Sequence, residues 1–149
     1  MFDAIKKKGF QVLTLHHAEA ILKHDMTTAA AELESVLMGI SVSVEELVRG
    51  GGGEGQLTQR MRKALNKLDW MKHEFEVTRH VDGKKLESNT HEIDHVKKFG
   101  DWTFALEIEW NNKDPFYDRD LENFKRLHGD GAISMGGIIT RGESLHESM

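Results

Sequence analysis

Asp94, Glu107 and Glu109 form the pattern D-x12-E-x-E, three acids that a pair of neighbouring strands can bring to one point. Strand side chains alternate between faces, so Glu107 and Glu109 share one side of the segment that carries them. Asp94 sits at the middle of the preceding strand segment, Glu92 to Val96. Like charges brought together repel and raise each other's pKa, so such a gathering makes sense when a hard divalent cation sits among them. Mg²⁺ takes oxygen ligands, keeps several waters, and is commonly held by one or two carboxylates plus substrate phosphate oxygens. A site of that kind activates water and stabilises charge on a phosphoryl group. Acids also alternate on the wet face of many antiparallel strands, and spacing alone does not choose between the two readings.

The elements that must position these acids are strands. Glu92 to Val96 reads as one, Lys97 to Asp101 as a polar link, and Trp102 to Trp110 as a second strand rich in aromatic and aliphatic residues. Upstream, Phe75, Val77, Arg79 and Val81 alternate toward Asp82-Gly83, the strongest hairpin signal in the chain. Lys84 to Thr90 forms the returning arm and leads into the Asp94 strand. Glu74, with His73 as its rival, lies shortly before the hairpin and is the candidate fourth active-site residue; an exposed strand acid is the plainer reading. Ala132 to Thr140 is a further buried strand in which Gly136-Gly137 allows another element close approach. Arg141, at its exit, is placed for a phosphate contact.

Helical periodicity supplies the flanks. Ala18, Ile21 and Leu22 give a short helix, and Thr27 or Thr28 caps a second one running to Met38 before Gly39. Phe10 to Leu15 reads as a strand or the lead into a helix, and Ile40 to Val42 as extended. Ser43-Val-Glu-Glu46 is a capping box that opens a brief helix. Gly50 to Gly55, with no Gly-Lys-Ser/Thr ending, suits a linker better than a phosphate loop. Leu57, Met61, Ala64, Leu65 and Leu68 form a clean apolar stripe, and Arg60, Lys63 and Lys67 fall together on another face. That basic face is either a solvated surface or a ridge for the DNA backbone. Asp114-Pro115 makes a firm helix start, after which Tyr117, Leu121, Phe124 and Leu127 are expected to face the core. Asn111, Asn112 and Lys113 therefore lie on the loop after the acidic strand. Asn can bridge adenine N6 and N7 in a major groove, although two Asn residues also suit a turn.

The 149 residues fit one domain with a substantial core, an N-terminal helical part over 1–55 followed by a catalytic core over 56–149. The chain has no cysteine, which excludes disulfides, zinc–thiolate sites and thiol nucleophiles and fits an intracellular, cytoplasmic setting. No apolar run reaches the roughly 18 residues a membrane helix requires, and the N-terminus lacks the marks of a signal peptide. Of the nine histidines, His91 and His95 spell H-E-x-x-H, but that pattern makes a zinc site on a helix and here it falls on an expected strand, so a zinc hydrolase is disfavoured. His91 and His73 lie near enough to the acids to tune proton transfer, whereas alternation turns His95 to the face opposite Asp94. Net charge is −5, against nucleic-acid binding in sum, yet Gln56 to Lys72 carries five basic residues and one acid.

The stretch LEIEWNNKDPFYDRDLENF, followed by AISMGGIITRG, resembles the core of the PD-(D/E)xK nucleases, and more narrowly type II restriction endonucleases of the BglII and BamHI kind. The likeness runs from about Trp70 to Arg141 and is best over Leu106 to Phe124. It implies an α/β fold with a mixed central β-sheet flanked by helices, and Mg²⁺-dependent hydrolysis of double-stranded DNA at a palindrome by a homodimer. In a restriction system it also implies a cognate DNA methyltransferase. On that pattern Asp94 is the first metal ligand, Glu107 the second, and Glu109 stands where most relatives carry Lys. No Pro precedes Asp94, and Glu109 follows the BamHI type, since BglII has Gln there. In such enzymes the loop holding Asn111 and Asn112 meets bases of the recognition site. Relatives continue past the last strand with segments that complete the DNA-binding arm and dimer contact. The alternative reading is therefore a truncated or degenerate nuclease-like domain that binds without cutting.

Overall fold

The computed structural model of the chain describes residues 1–48, 55–110 and 117–142. Four strands form one sheet in the order β1-β2-β3-β4: β1 (Met71–Val81), β2 (Lys84–Phe99), β3 (Trp102–Glu109) and β4 (Met135–Thr140). The first three run antiparallel, and β4 lies parallel to β3. Helices α1 (Asp3–Lys7), α2 (Ala18–His24), α3 (Thr27–Met38), α4 (Val44–Val48) and α5 (Gln56–Lys67) precede the sheet, and α6 (Tyr117–Gly129) joins β3 to β4. The expected mixed sheet flanked by helices is what the chain builds.

Local chemistry explains most of these boundaries. Asp82 and Gly83 both have positive φ (48° and 77°), the signature of a two-residue type I′ turn whose twist matches the strands it joins. The capping box closes as anticipated. The Ser43 N–H donates to Glu46 Oε2 at 3.1 Å, and the Glu46 N–H donates to Ser43 Oγ at 3.3 Å. A parallel pair needs a crossover, and α6 supplies it. That helix passes so close to β4 that a Cβ at Gly136 would lie 2.5 Å from Phe124 Cγ. Only glycine permits this packing.

The sheet separates two apolar layers. On one face, Phe104, Leu106 and Ile108 of β3 join Trp70, Met61, Leu65, Leu33 and Met26 in the larger core. On the other, Ala105 of β3 and Ile93 of β2 pack with Phe124, Leu127 and Ile133. A polar clasp ties the helical layer to the sheet. Glu32 of α3 accepts the Trp70 indole N–H at 2.7 Å and pairs with Lys97 Nζ at 2.8 Å, while Lys97 also donates to the Leu68 carbonyl at 2.7 Å.

Some expectations need correction. β2 runs on through Phe99, because Lys97, a link residue by its sequence context, reaches under the sheet to Glu32; the connection is only Gly100-Asp101. Phe10 to Leu15 forms no strand and is instead the lead into α2, and α1, built around the buried Ile5, is an element the periodicity does not signal. Leu121 is half exposed, at 50%, whereas Asp120 is buried. With Phe124 and Leu127 both buried, the inward stripe of α6 is Asp120, Phe124, Leu127, one residue out of phase with the apolar pattern. The linker residues Gly50 to Glu54 and the Asp114-Pro115 helix start lie outside the described residues.

Candidate active site

The register of the sheet slips at the acids. His73 pairs with Ile93 and Met71 with Val96, so two steps along β1 face three along β2. The extra residue falls at Asp94-His95. A bulge of this kind bends the strand and re-aims side chains. Here it lets Ile93 and Val96, three apart, both join the α6-facing apolar layer. Strict alternation would have sent them to opposite faces.

Beyond the bulge, His95 pairs with Leu106 and Val96 with Ala105. This brings Asp94 beside Glu107, and the Asp94 N–H donates to Glu107 Oε1 at 3.4 Å. Glu107 is buried, at 8% exposure, on the α6 side of β3, two residues on from the buried Ala105. Its carboxyl is pushed up to about 8, first by burial and then by the negative charges of Asp94 and Asp120. Asp94 is better served by cations. Arg62 Nη2 of α5 lies 3.6 Å from one carboxylate oxygen and Lys72 Nζ of β1 lies 4.0 Å from the other. Lys72 also pairs with Glu92 at 3.0 Å.

The remaining candidates are placed as follows. Glu109 is half-buried one pleat beyond Glu107, and its carbonyl accepts the Thr140 hydroxyl at 3.0 Å. Among the described residues no three His, Asp or Glu side chains form a metal-sized cluster, so the expected convergence of Asp94, Glu107 and Glu109 is not closed; Asp94 and Glu107 are the pair brought together. Glu74 is exposed opposite Glu92 and is not among the groups whose charge acts on Glu107. His73 stacks edge-on against Phe75 at 4.5 Å. His91 opens onto a cleft of about 610 Å³ between the hairpin and α6. His95 lies opposite Leu106 in the β2–β3 register. It is fully enclosed with no well-formed hydrogen bond at either ring nitrogen, and burial lowers it to about 4. Arg141 places its guanidinium 5.8 Å from the Trp110 ring. Asn111, Asn112 and Lys113 lie outside the described residues.

The basic face of α5 divides in a way its spacing did not show. Lys63 and Lys67 are exposed, but Arg60 clamps Glu46 at 2.6 Å and donates to the Ser41 carbonyl at 2.8 Å. Arg60→Ala should therefore leave DNA affinity close to that of the parent chain. It should loosen α4 from α5, lowering the melting temperature by at most about 2–4 °C, as expected for an exposed pair. Binding titrations and thermal melts read the two effects separately. Sequence reasoning missed three residues at the site. Arg62 and Lys72 were visible only as members of a basic run, and Asp120 was masked by the neighbouring Leu121.

A divalent cation fits this arrangement. Asp94 and Glu107 offer it two adjacent carboxylates, and Mg²⁺ needs only one or two from the protein.

An acidic pair at a bulge, on a mixed sheet with a βαβ crossover, belongs to the restriction-endonuclease-like class of α/β folds. The chain is a member of the BglII/BglIII restriction endonuclease family: the family described as Restriction endonuclease BglII/BglIII matches it over residues 10–149. No curated protein matches it. No helix among the described residues is long and apolar enough to cross a membrane.

Proposed function

We propose that this protein is a type II restriction endonuclease that hydrolyses phosphodiester bonds of double-stranded DNA at a short palindromic site, as a homodimer and with Mg²⁺. The observation that carries this reading is the Asp94–Glu107 pair, locked at the bulge by the Asp94 N–H and set against the buried face of β3. Asp94 and Glu107 would hold the cation. When bound, it supplies Lewis-acid stabilisation of charge at the phosphate and a more acidic water.

The chain's own groups supply the rest. Glu107 gives up its proton when it takes on a ligand role, which couples cation affinity to pH. Glu109, two residues from Glu107 on β3, would take a proton from the attacking water or support the cation site through water. Arg62 and Lys72 neutralise Asp94 from either side. With DNA bound, both would pair with the non-bridging phosphate oxygens, Arg with a planar fork and Lys as a point charge. Lys63, Lys67 and Arg141 would hold the backbone, with Asn111, Asn112 and Lys113 at the bases. Two subunits related by a two-fold axis match a palindrome. Such an enzyme needs a cognate DNA methyltransferase in its host.

Plasmid DNA incubated with the chain and Mg²⁺ should give discrete fragments, and none in EDTA. Intact plasmid in both conditions would sink the proposal and leave a nuclease-like domain that binds without cutting.

A further inference from the structure

The N-terminal turns of α6 depart from their own pattern. A helix packed on a sheet normally turns its apolar residues inward, and here Leu121 was available. Instead Leu121 is 50% exposed and the adjacent Asp120 is buried to 5%, on the same stripe as Phe124 and Leu127. Phe124 and Leu127 fix the helix phase, because Phe124 fills the space over Gly136 and both join the core around Ala105. The stripe then carries Asp120 toward the end of β3 where Glu107 lies, as expected for a crossover helix antiparallel to the strand it follows. Asp120 is one of the two carboxylates whose charge acts on Glu107.

The described residues around Asp120 do little to compensate its burial. Among the described residues Oδ2 has no hydrogen-bond partner, and Arg119 Nε approaches Oδ1 only to 4.0 Å from a largely exposed side chain. An unpaired buried carboxylate is costly. The helix dipole does not account for it, since a first-turn acid gains that benefit at the surface, where Asp118 already sits. Placing a charged group where a leucine would fit is the kind of local departure that marks a functional position.

We propose that Asp120 is a third acidic partner of the cation held by Asp94 and Glu107, acting across the water shell that Mg²⁺ retains. The outer position is the one left to it, because the described acids do not close into a three-ligand cage. Asp120 is thus a positioning residue: it would orient metal-held water and add negative charge. The inference rests on the reading of Asp94 and Glu107 as a metal pair.

The test is titration of the full chain with Mn²⁺ alone, without DNA, at pH 8, followed by water-proton relaxation. The parent chain is compared with Asp120→Asn and Glu107→Gln, and each is melted in EDTA. Asp120→Ser runs in parallel, so that a packing defect peculiar to Asn does not decide the result. The expected outcome is Mn²⁺ binding weakened about 10- to 100-fold in both Asp120 variants, the scale for outer partners of a metal site. Their melting temperatures in EDTA should equal or exceed the parent's, because a buried like charge is gone. Unchanged affinity in the Asp120 variants, with loss in Glu107→Gln, would overturn this inference and leave the metal pair standing. Unchanged affinity in all three would overturn both. Melting below the parent in EDTA by both Asp120 variants would make the carboxylate a folding element and overturn the proposal.

Discussion

Replacing Glu107 with Gln should lower the rate of Mg²⁺-dependent DNA cleavage by at least about 10²–10³-fold, the loss typical when one preorganised group that stabilises transition-state charge is removed. Gln keeps the volume and one acceptor oxygen, so the buried position on β3 stays filled and the Asp94 N–H keeps its partner. What disappears is the negative charge that a cation needs at the centre of the pair. The loss should fall on kcat/KM and on cation affinity together, and DNA binding in the absence of metal should persist. Single-turnover cleavage across a range of Mg²⁺ concentrations tests this. A variant cutting within about tenfold of the parent at saturating Mg²⁺ would remove Glu107 from the reaction.

The same carboxyl makes the metal-free protein lose stability as pH rises from about 6.5 to about 8. Glu107 has an ordinary value of 4.5 and is pushed up to about 8 in the fold, so over that interval the folded state holds a proton that the unfolded chain releases. Stability then declines with pH, at no more than about 1.4 kcal/mol per unit. His95 acts in the opposite sense. Its ordinary 6.5 is lowered to about 4, so the unfolded chain holds the extra proton and stability rises with pH across that window. Between about 4.5 and 6.5 the two trends oppose each other, and above 6.5 Glu107 acts alone. Urea denaturation in EDTA at pH 6.5, 7.2 and 8 should show a falling midpoint. Glu107→Gln should flatten it, and saturating Mg²⁺ should reverse it by favouring the deprotonated folded form. A midpoint flat or rising from pH 6.5 to 8 in the parent chain would mean that Glu107 titrates as an exposed acid.

Much of this architecture was legible because it rests on short-range chemistry. Asp82-Gly83 announces its turn, Ser43 and Glu46 their reciprocal cap, and Trp102 to Trp110 a strand that needs no distant partner to be recognised. The acids were legible by type, and Asp94 and Glu107 do meet. What sequence could not convey depends on phase and register. Leu121 outranks Asp120 on any apolar scale, yet the rotation of α6 is set by how Phe124 seats over Gly136 in a strand that follows the helix. Arg60 and Arg62 look equivalent in a basic run, but two positions on a helix point about 200° apart, so one meets Glu46 and the other Asp94. Lys97 and Lys98 resemble a solvated link until Glu32, far away in sequence, is seen to draw Lys97 into the interior.

The slipped register in β2 also sets what kinds of change this chain can tolerate over time. Side-chain exchange at the bulge alters one contact, but a change of length there removes the irregularity itself. Deleting one residue between Ile93 and Val96 would restore regular pairing and, with the two then two apart, keep both in the α6-facing layer. The hairpin would survive, but the extra residue that sets Asp94 beside Glu107 would be gone. Descendants of this sequence should therefore vary freely in the hairpin's exposed residues and in its tip, and keep the count of residues from Ile93 to Val96 fixed.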